Sequence, residues 1–369
     1  MLSLLRGNLV DLPTNVSLSY FWCGGFMLSI FMVIQVLSGV ILSLFYSAES
    51  NFSLVFMGSD ESILIWLVRY THIWCVNVVF VLLLIHIGRS LYYGSYSRLG
   101  VWNVGFVLYI MIMIEAFLGY ILPWHQMSYW AATVLTSILL SVPFVGSNLY
   151  SYVVGGFGVT VSETLLRVFP AHVILGIVIL GVMILHLFYL HKAGSSCPLF
   201  ISMGYSDCVY FHGYYSIKDL YVFVAISFFC LFFMIFVPNI VLDVEAFIKA
   251  DSLVTPASIK PEWYFLVYYA MLRSIESKVG GLVFVLSFLL VLWVPTKNIS
   301  SSYSLVRQIV FWCLFGLYIV LSYLGGCHAE YPYIIISKVC SMLILFFVSL
   351  FKGYWFIPYW CDYRLYNLY

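Results

Sequence analysis

The chain has 369 residues, 64% of them hydrophobic and only 8% charged, with a mean hydropathy of +1.05. A soluble domain carries about 25% charged residues, so this is the composition of an integral membrane protein. A net charge of +1 supplies no basic or acidic field, which sets nucleic acid aside and leaves membrane lipid as the surrounding medium.

The apolar runs are continuous over about twenty residues, as spanning helices require, and lack the short alternating pattern of barrel strands. The predicted class is an all-α integral membrane protein with eight transmembrane helices over 19–45, 62–91, 102–122, 168–191, 220–242, 280–295, 309–326 and 333–351. The sixth is the shortest, because Pro295 cuts it near the lower limit for a span. An even number of spans puts both termini on one face. That face holds Arg6, Arg89, Arg98, Lys192, Lys218, Lys297, Arg307, Lys352 and Arg364, while acids outnumber bases on the other. The direction of this bias puts the termini inside. No secretory signal is expected in the stretch from Met1 to Pro13, and the sequons at Asn15, Asn51 and Asn298 read as chance matches.

Two connections on the outer face are too long to be simple turns. Pro123 to Arg167 contains a moderately apolar piece, 126–140, then Pro143 and the glycines Gly155, Gly156 and Gly158, which predict surface-lying helices followed by a turn. The second, Asp243 to Lys278, holds most of the outer charge with Pro256 and Pro261. Ordered loops of this length are usually functional.

Nine cysteines, among them Cys23, Cys75 and Cys361, show no C-x-x-C and no C-x-x-C-H spacing. This argues against zinc, an iron–sulfur cluster or covalent haem, and predicts that the cysteines are small buried hydrophobes. Any haem must then be held by histidine. His72 and His86 lie fourteen residues apart in the second segment, and His172 and His186 fourteen apart in the fourth. Fourteen residues of helix advance about 21 Å and complete nearly four turns, so each pair faces one way at two depths. A proton relay or a transporter's substrate site would also use intramembrane histidines, but neither needs two equal spacings on two helices. Bis-histidine ligation of two haems does.

The same spacing recurs in Gly25 and Gly39 of the first segment and Gly105 and Gly119 of the third. A glycine removes the side chain where a porphyrin edge approaches the backbone; small-residue helix packing explains any one of them, but not the repeat. The first four helices therefore read as a diheme four-helix bundle. Arg69, Arg89 and Arg167 lie within five residues of a histidine, toward the helix ends, where guanidinium can pair with haem propionates or simply snorkel to the interface.

These histidines, with Gly119-Tyr120, Gln126-Met127-Ser128, Gly194-Ser195-Ser196, Lys218-Asp219 and above all Pro261-Glu262-Trp263-Tyr264, resemble the cytochrome b family of the respiratory cytochrome bc complex, complex III. The resemblance runs through nearly the whole chain, and the unsplit chain with equal histidine spacings is similar to the respiratory branch. It implies two non-covalent b-type haems, a low-potential one between His72 and His172 near the outer face and a high-potential one between His86 and His186 near the inner face. It also implies an outer quinol-oxidising site lined by Phe117, Tyr120, Met127, Ala131, Pro261, Glu262, Tyr264 and Tyr269. An inner site formed by His191, Ser195, Lys218 and Asp219 would reduce ubiquinone. The implied partners are a Rieske iron–sulfur protein, cytochrome c₁, other complex III subunits and a second copy of the chain. The division would be 1–205 for the diheme bundle and 206–369 for the remaining helices with the outer loop. A diheme anchor of a dehydrogenase and a haem-free transporter are the alternatives.

Three residues depart from the family pattern. Ala131 stands where glycine is usual, beside the outer pocket. His125 also replaces a usual glycine and is expected to be interfacial. Glu115 lies one turn before Gly119, where burying a lone charge is expensive, so it is expected either protonated and hydrogen-bonded or tuning the outer haem. Abundant Phe and Tyr, 31 and 30, with scarce alanine suggest an AT-biased genome and the mitochondrial inner membrane, with a bacterial plasma membrane as the alternative.

Overall fold

A computed structural model describes residues 6–49, 51–199, 205–296 and 303–353; Lys297, Asn298, Cys361 and Arg364 fall outside them. The main elements are α1 (Gly24–Ser43, led in by a 3₁₀ turn Tyr20–Cys23), α2 (Asn51–Glu61), α3 (Ile63–Tyr92), α4 (Leu99–Ile121), α5 (Gln126–Ser137) and α6 (Gly146–Val154). They continue with α7 (Val161–Ala193), α8 (Phe211–Phe236), α9 (Leu266–Arg273), α10 (Lys278–Trp293), α11 (Leu305–Gly326) and α12 (Tyr333–Gly353). In hydrocarbon every backbone N–H and C=O must be paired within the chain, and apolar segments of this length meet that demand as helices.

Among the described residues, seven helices are long and apolar enough to cross a membrane, and α10 is a shorter apolar helix of 16 residues. The protein is a multi-pass membrane protein. Its outward faces carry Leu37, Ile63, Phe228 and Phe232, all exposed, which is the surface lipid solvates.

Two helices start earlier than their hydropathy predicts. α7 begins at Val161, because Thr160 caps it by accepting the N–H of Glu163 on its hydroxyl. α8 begins at Phe211, so Lys218 and Asp219 belong to the helix interior and not to a loop end. It stops at Phe236, six residues early, and Pro238 opens a separate 3₁₀ turn. Beside the helices of this all-α protein, one short pairing occurs: β1 (Pro13–Asn15) runs antiparallel to β2 (Cys208–Tyr210), tying the N-terminal segment to the entry of α8.

α1 packs on α3, α4 packs on α7, and α7 also meets α1. Met27, Phe31, Val79, Phe80, Leu83, Tyr109, Ile112 and Ile179 form the buried core of this bundle. A second core holds α9 to α12 together through Val267, Met271, Phe288, Leu321, Ile344 and Val348.

The two long connections are stitched to each other. Gln126 donates its backbone N–H to Ile248 and its amide to Val254, while its amide oxygen accepts from the N–H of Asp251. A bridge between His125 and Lys249 completes the join. α5 is a helix as expected, but Gln126, Met127, Ser128, Ala131, Ala132 and Thr136 are buried, so it is a packed element and no surface float. Gly155 closes α6 with φ of 89°, a left-handed conformation that glycine adopts without strain.

Candidate functional site

The histidines of α3 and α7 meet in two layers. The rings of His72 and His172 have centroids 6.5 Å apart, and those of His86 and His186 6.4 Å apart. Two metal–nitrogen bonds of about 2 Å each, with the distance from nitrogen to ring centre added twice, span roughly 6 Å. The centroid separations of both layers are close to that span.

The four glycines back the rings. A Cβ at Gly119 would lie 2.7 Å from Cε1 of His172, at Gly105 2.8 Å from Cε1 of His186, at Gly39 3.1 Å from Cε1 of His72, and at Gly25 3.5 Å from Cε1 of His86. The space they clear in this arrangement belongs to the imidazoles themselves.

Hydrogen bonds assign tautomers at the outer layer. Ser38 uses its hydroxyl proton on the carbonyls of Ile34 and Gln35, so its oxygen accepts from Nδ1–H of His72 at 2.9 Å. His172 Nδ1 faces two acceptors, the main-chain oxygen of Glu115 at 3.1 Å and its Oε1 at 3.0 Å. In both rings these acceptors call for a proton on Nδ1, which leaves Nε2 as the nitrogen that could ligate a metal. At the inner layer Arg89 donates to Nδ1 of His86 at 3.3 Å, a contact that ligation through Nε2 with Nδ1 protonated would require Arg89 to leave. Arg89 also lies over the Trp22 ring. Arg69 donates to Ser59 and lies over Phe56, and Arg167 is half-exposed in an ion pair with Glu163.

Above the outer layer, the connections and helix ends bring together a second constellation. The Glu262 carboxyl is hydrogen-bonded to the Tyr120 hydroxyl, and Asp243 and Lys260, an ion pair at 3.5 Å, lie nearby. Burial pushes the Glu262 carboxyl up to about 7; the Tyr120 hydrogen bond opposes that rise and Asp243 adds to it. Tyr264 is buried and stacks on Phe80 with centroids 3.7 Å apart and planes at 3°. Met127 and Ala131 are buried on α5, Phe117 and Pro261 are half-buried, and the Tyr269 hydroxyl donates to the Ile259 carbonyl.

His125 is buried, not interfacial as the sequence suggested. Its Nδ1 accepts the Ser128 N–H and caps α5, while its ring lies edge-on to Tyr120 at 5.2 Å. Burial first and the Arg69 charge second bring its pKa down to about 3, so it stays neutral.

At the opposite end, Lys218 donates to the Leu18 carbonyl and lies over the rings of Tyr214, Tyr215 and Tyr20. Asp219 is buried and hydrogen-bonded to the Cys23 thiol, so Cys23 is more than the small hydrophobe expected. His191 and Ser195 are exposed at the end of α7, where the Ser195 carbonyl accepts from Arg98.

Sequence reasoning missed Asn77, whose side-chain oxygen accepts from Trp263 Nε1, and Tyr109, whose hydroxyl meets that of Tyr268. A polar residue inside an apolar helix was the available signal for Asn77.

Residues 9–194 match the family model described as Cytochrome b/b6/petB, and residues 249–346 match Cytochrome b(C-terminal)/b6/petD. Cytochrome b of Brachionus plicatilis is 42% identical over 356 residues, 94% of this chain and 93% of that protein. The chain belongs to the cytochrome b family. A chain of a hyperthermophilic respiratory Complex III structure superposes with a TM-score of 0.90 at 28% identity, covering 97% of each chain. Membership implies two b haems.

Proposed function

We propose that the chain is the electron-transferring cytochrome b subunit of a respiratory quinol:cytochrome c oxidoreductase, complex III. One observation carries this reading beyond family membership: two layers of facing histidines on α3 and α7 lie beneath a half-buried carboxyl–phenol pair, Glu262 and Tyr120. A diheme anchor would need the first feature only, and a haem-free transporter neither.

In this reading His72 and His172 hold the outer haem and His86 and His186 the inner one, within a bundle of α1, α3, α4 and α7. The other helices and the outer loop, 206–369, form the second part of eight spans with α10 as the sixth. When bound, haem supplies a one-electron carrier at each level. The chain supplies the rest. Quinol loses two protons as it loses two electrons, and Glu262, with its affinity raised to about 7, is matched to accept one near neutral pH. Tyr120 holds that carboxyl, while Tyr264, Met127, Ala131 and Phe117 provide an apolar wall that excludes water. Lys218 and Asp219 deliver protons at the inner ubiquinone site, with His191 and Ser195 at its mouth. Arg89, released from His86, is the candidate propionate partner at the inner layer.

Partners in this reading are a Rieske iron–sulfur protein and cytochrome c₁ on the outer side and a second copy of the chain, in the mitochondrial inner membrane. Redox-titrated optical spectra of the purified complex test the proposal. Two b-type haems with separate potentials are expected, and no b-type band on reduction would defeat it.

A further inference from the structure

Glu115 lies on α4 one turn before Gly119, at a depth where an ionisable residue needs a partner. That partner is His172. The carboxylate and the imidazole are 3.0 Å apart, and their side chains are only 16% and 17% exposed. Space for the carboxylate comes from Gly176, one turn beyond His172 on α7: a Cβ there would lie 2.9 Å from Glu115 Oε1. The other carboxyl oxygen, Oε2, is buried without a hydrogen bond, so the interaction of this side chain with polar groups is concentrated on the histidine. Of the four histidines, His172 alone faces a carboxylate. His72 has the Ser38 hydroxyl and His86 the Arg89 guanidinium.

A carboxylate that accepts Nδ1–H fixes the ring's orientation and raises the basicity of Nε2, because negative charge is drawn toward the imidazole. A metal held by such a ring is stabilised in its more positive oxidation state. We infer that Glu115 is a positioning residue for His172 that lowers the reduction potential of the outer haem. It thereby steepens the fall in energy for an electron moving to the inner haem. The inference rests on the reading that His172 is a haem ligand.

The test is redox titration of the outer and inner b-haem bands, at one pH, in complexes carrying Glu115→Gln or Glu115→Ala. Gln keeps an acceptor oxygen and removes the charge; Ala removes both and leaves the main-chain oxygen of residue 115 to hold the ring. In each variant the reduction equilibrium constant of the outer haem should rise about tenfold, which is 59 mV for one electron, while the inner haem stays in place as an internal reference. Both haems present with an unchanged outer potential, in either variant, overturns the inference. An unmodified complex without two bis-histidine b haems would instead defeat the reading beneath it.

Discussion

Trp263 Nε1 donates a 2.7 Å hydrogen bond to Oδ1 of Asn77, joining the Pro261–Tyr264 stretch to the α3 turn that lies between His72 and His86. Loop and bundle are therefore one mechanical unit. Asn77→Leu leaves a half-buried indole N–H unpaired, at a cost of about 1–3 kcal/mol. Quinol oxidation should fall roughly tenfold with both haem bands intact, measured as cytochrome c reduction by the isolated complex; an unchanged rate would show that the loop is held by other contacts.

Glu262 should impose a pH profile on quinol oxidation. Its carboxyl is raised to about 7, so below that pH it is protonated and cannot accept a proton, and above it is ionised and can. The rate is expected to rise through about pH 7 and level off above. In Glu262→Gln the rise should disappear along with most of the activity, and a variant that keeps the rise would assign it to another group.

Substituting the four helix glycines should produce graded haem loss. Alanine at Gly119 or Gly105 places a methyl 2.7 or 2.8 Å from an imidazole carbon, which forces the ring aside. Gly39→Ala, at 3.1 Å, should be milder, and Gly25→Ala, at 3.5 Å, nearly silent. Haem content from the reduced-minus-oxidised spectrum checks the order.

Ala131 is buried on α5 beside the outer pocket, and its methyl is expected to impede methoxyacrylate-type inhibitors while sparing quinol. Ala131→Gly should raise inhibitor sensitivity with little change in turnover. Unchanged inhibition would place the methyl outside the binding path.

Much of the architecture was legible because hydrocarbon solvation leaves a coarse signal. Long apolar runs located α1, α3, α4, α11 and α12 to within a few residues. α7 and α8 were misplaced at their starts because Glu163, in the first turn of α7, and Lys218 and Asp219, eight and nine residues into α8, make stretches that hydropathy reads as loop. The two short strands escaped because each is three residues long and its partner is far away in sequence. At the site, spacing singled out the histidines and glycines, but not which glycine faces which ring. The partner of Glu115 was invisible for a related reason: Gly176, which makes the room, sits on another helix and looks like any small residue in a membrane span.

His72 and His86 share one continuous helix, and so do His172 and His186. Vertical distance between the two layers is thus a property of helix rise, about 1.5 Å per residue, and no side-chain substitution can retune it. Inserting or deleting a single residue between the members of a pair would swing one ring about 100° away from its opposite number. Distance and driving force are consequently under separate control. The main chain fixes the first as a constant, and residues such as Ser38 and Glu115 leave the second open to change one side chain at a time.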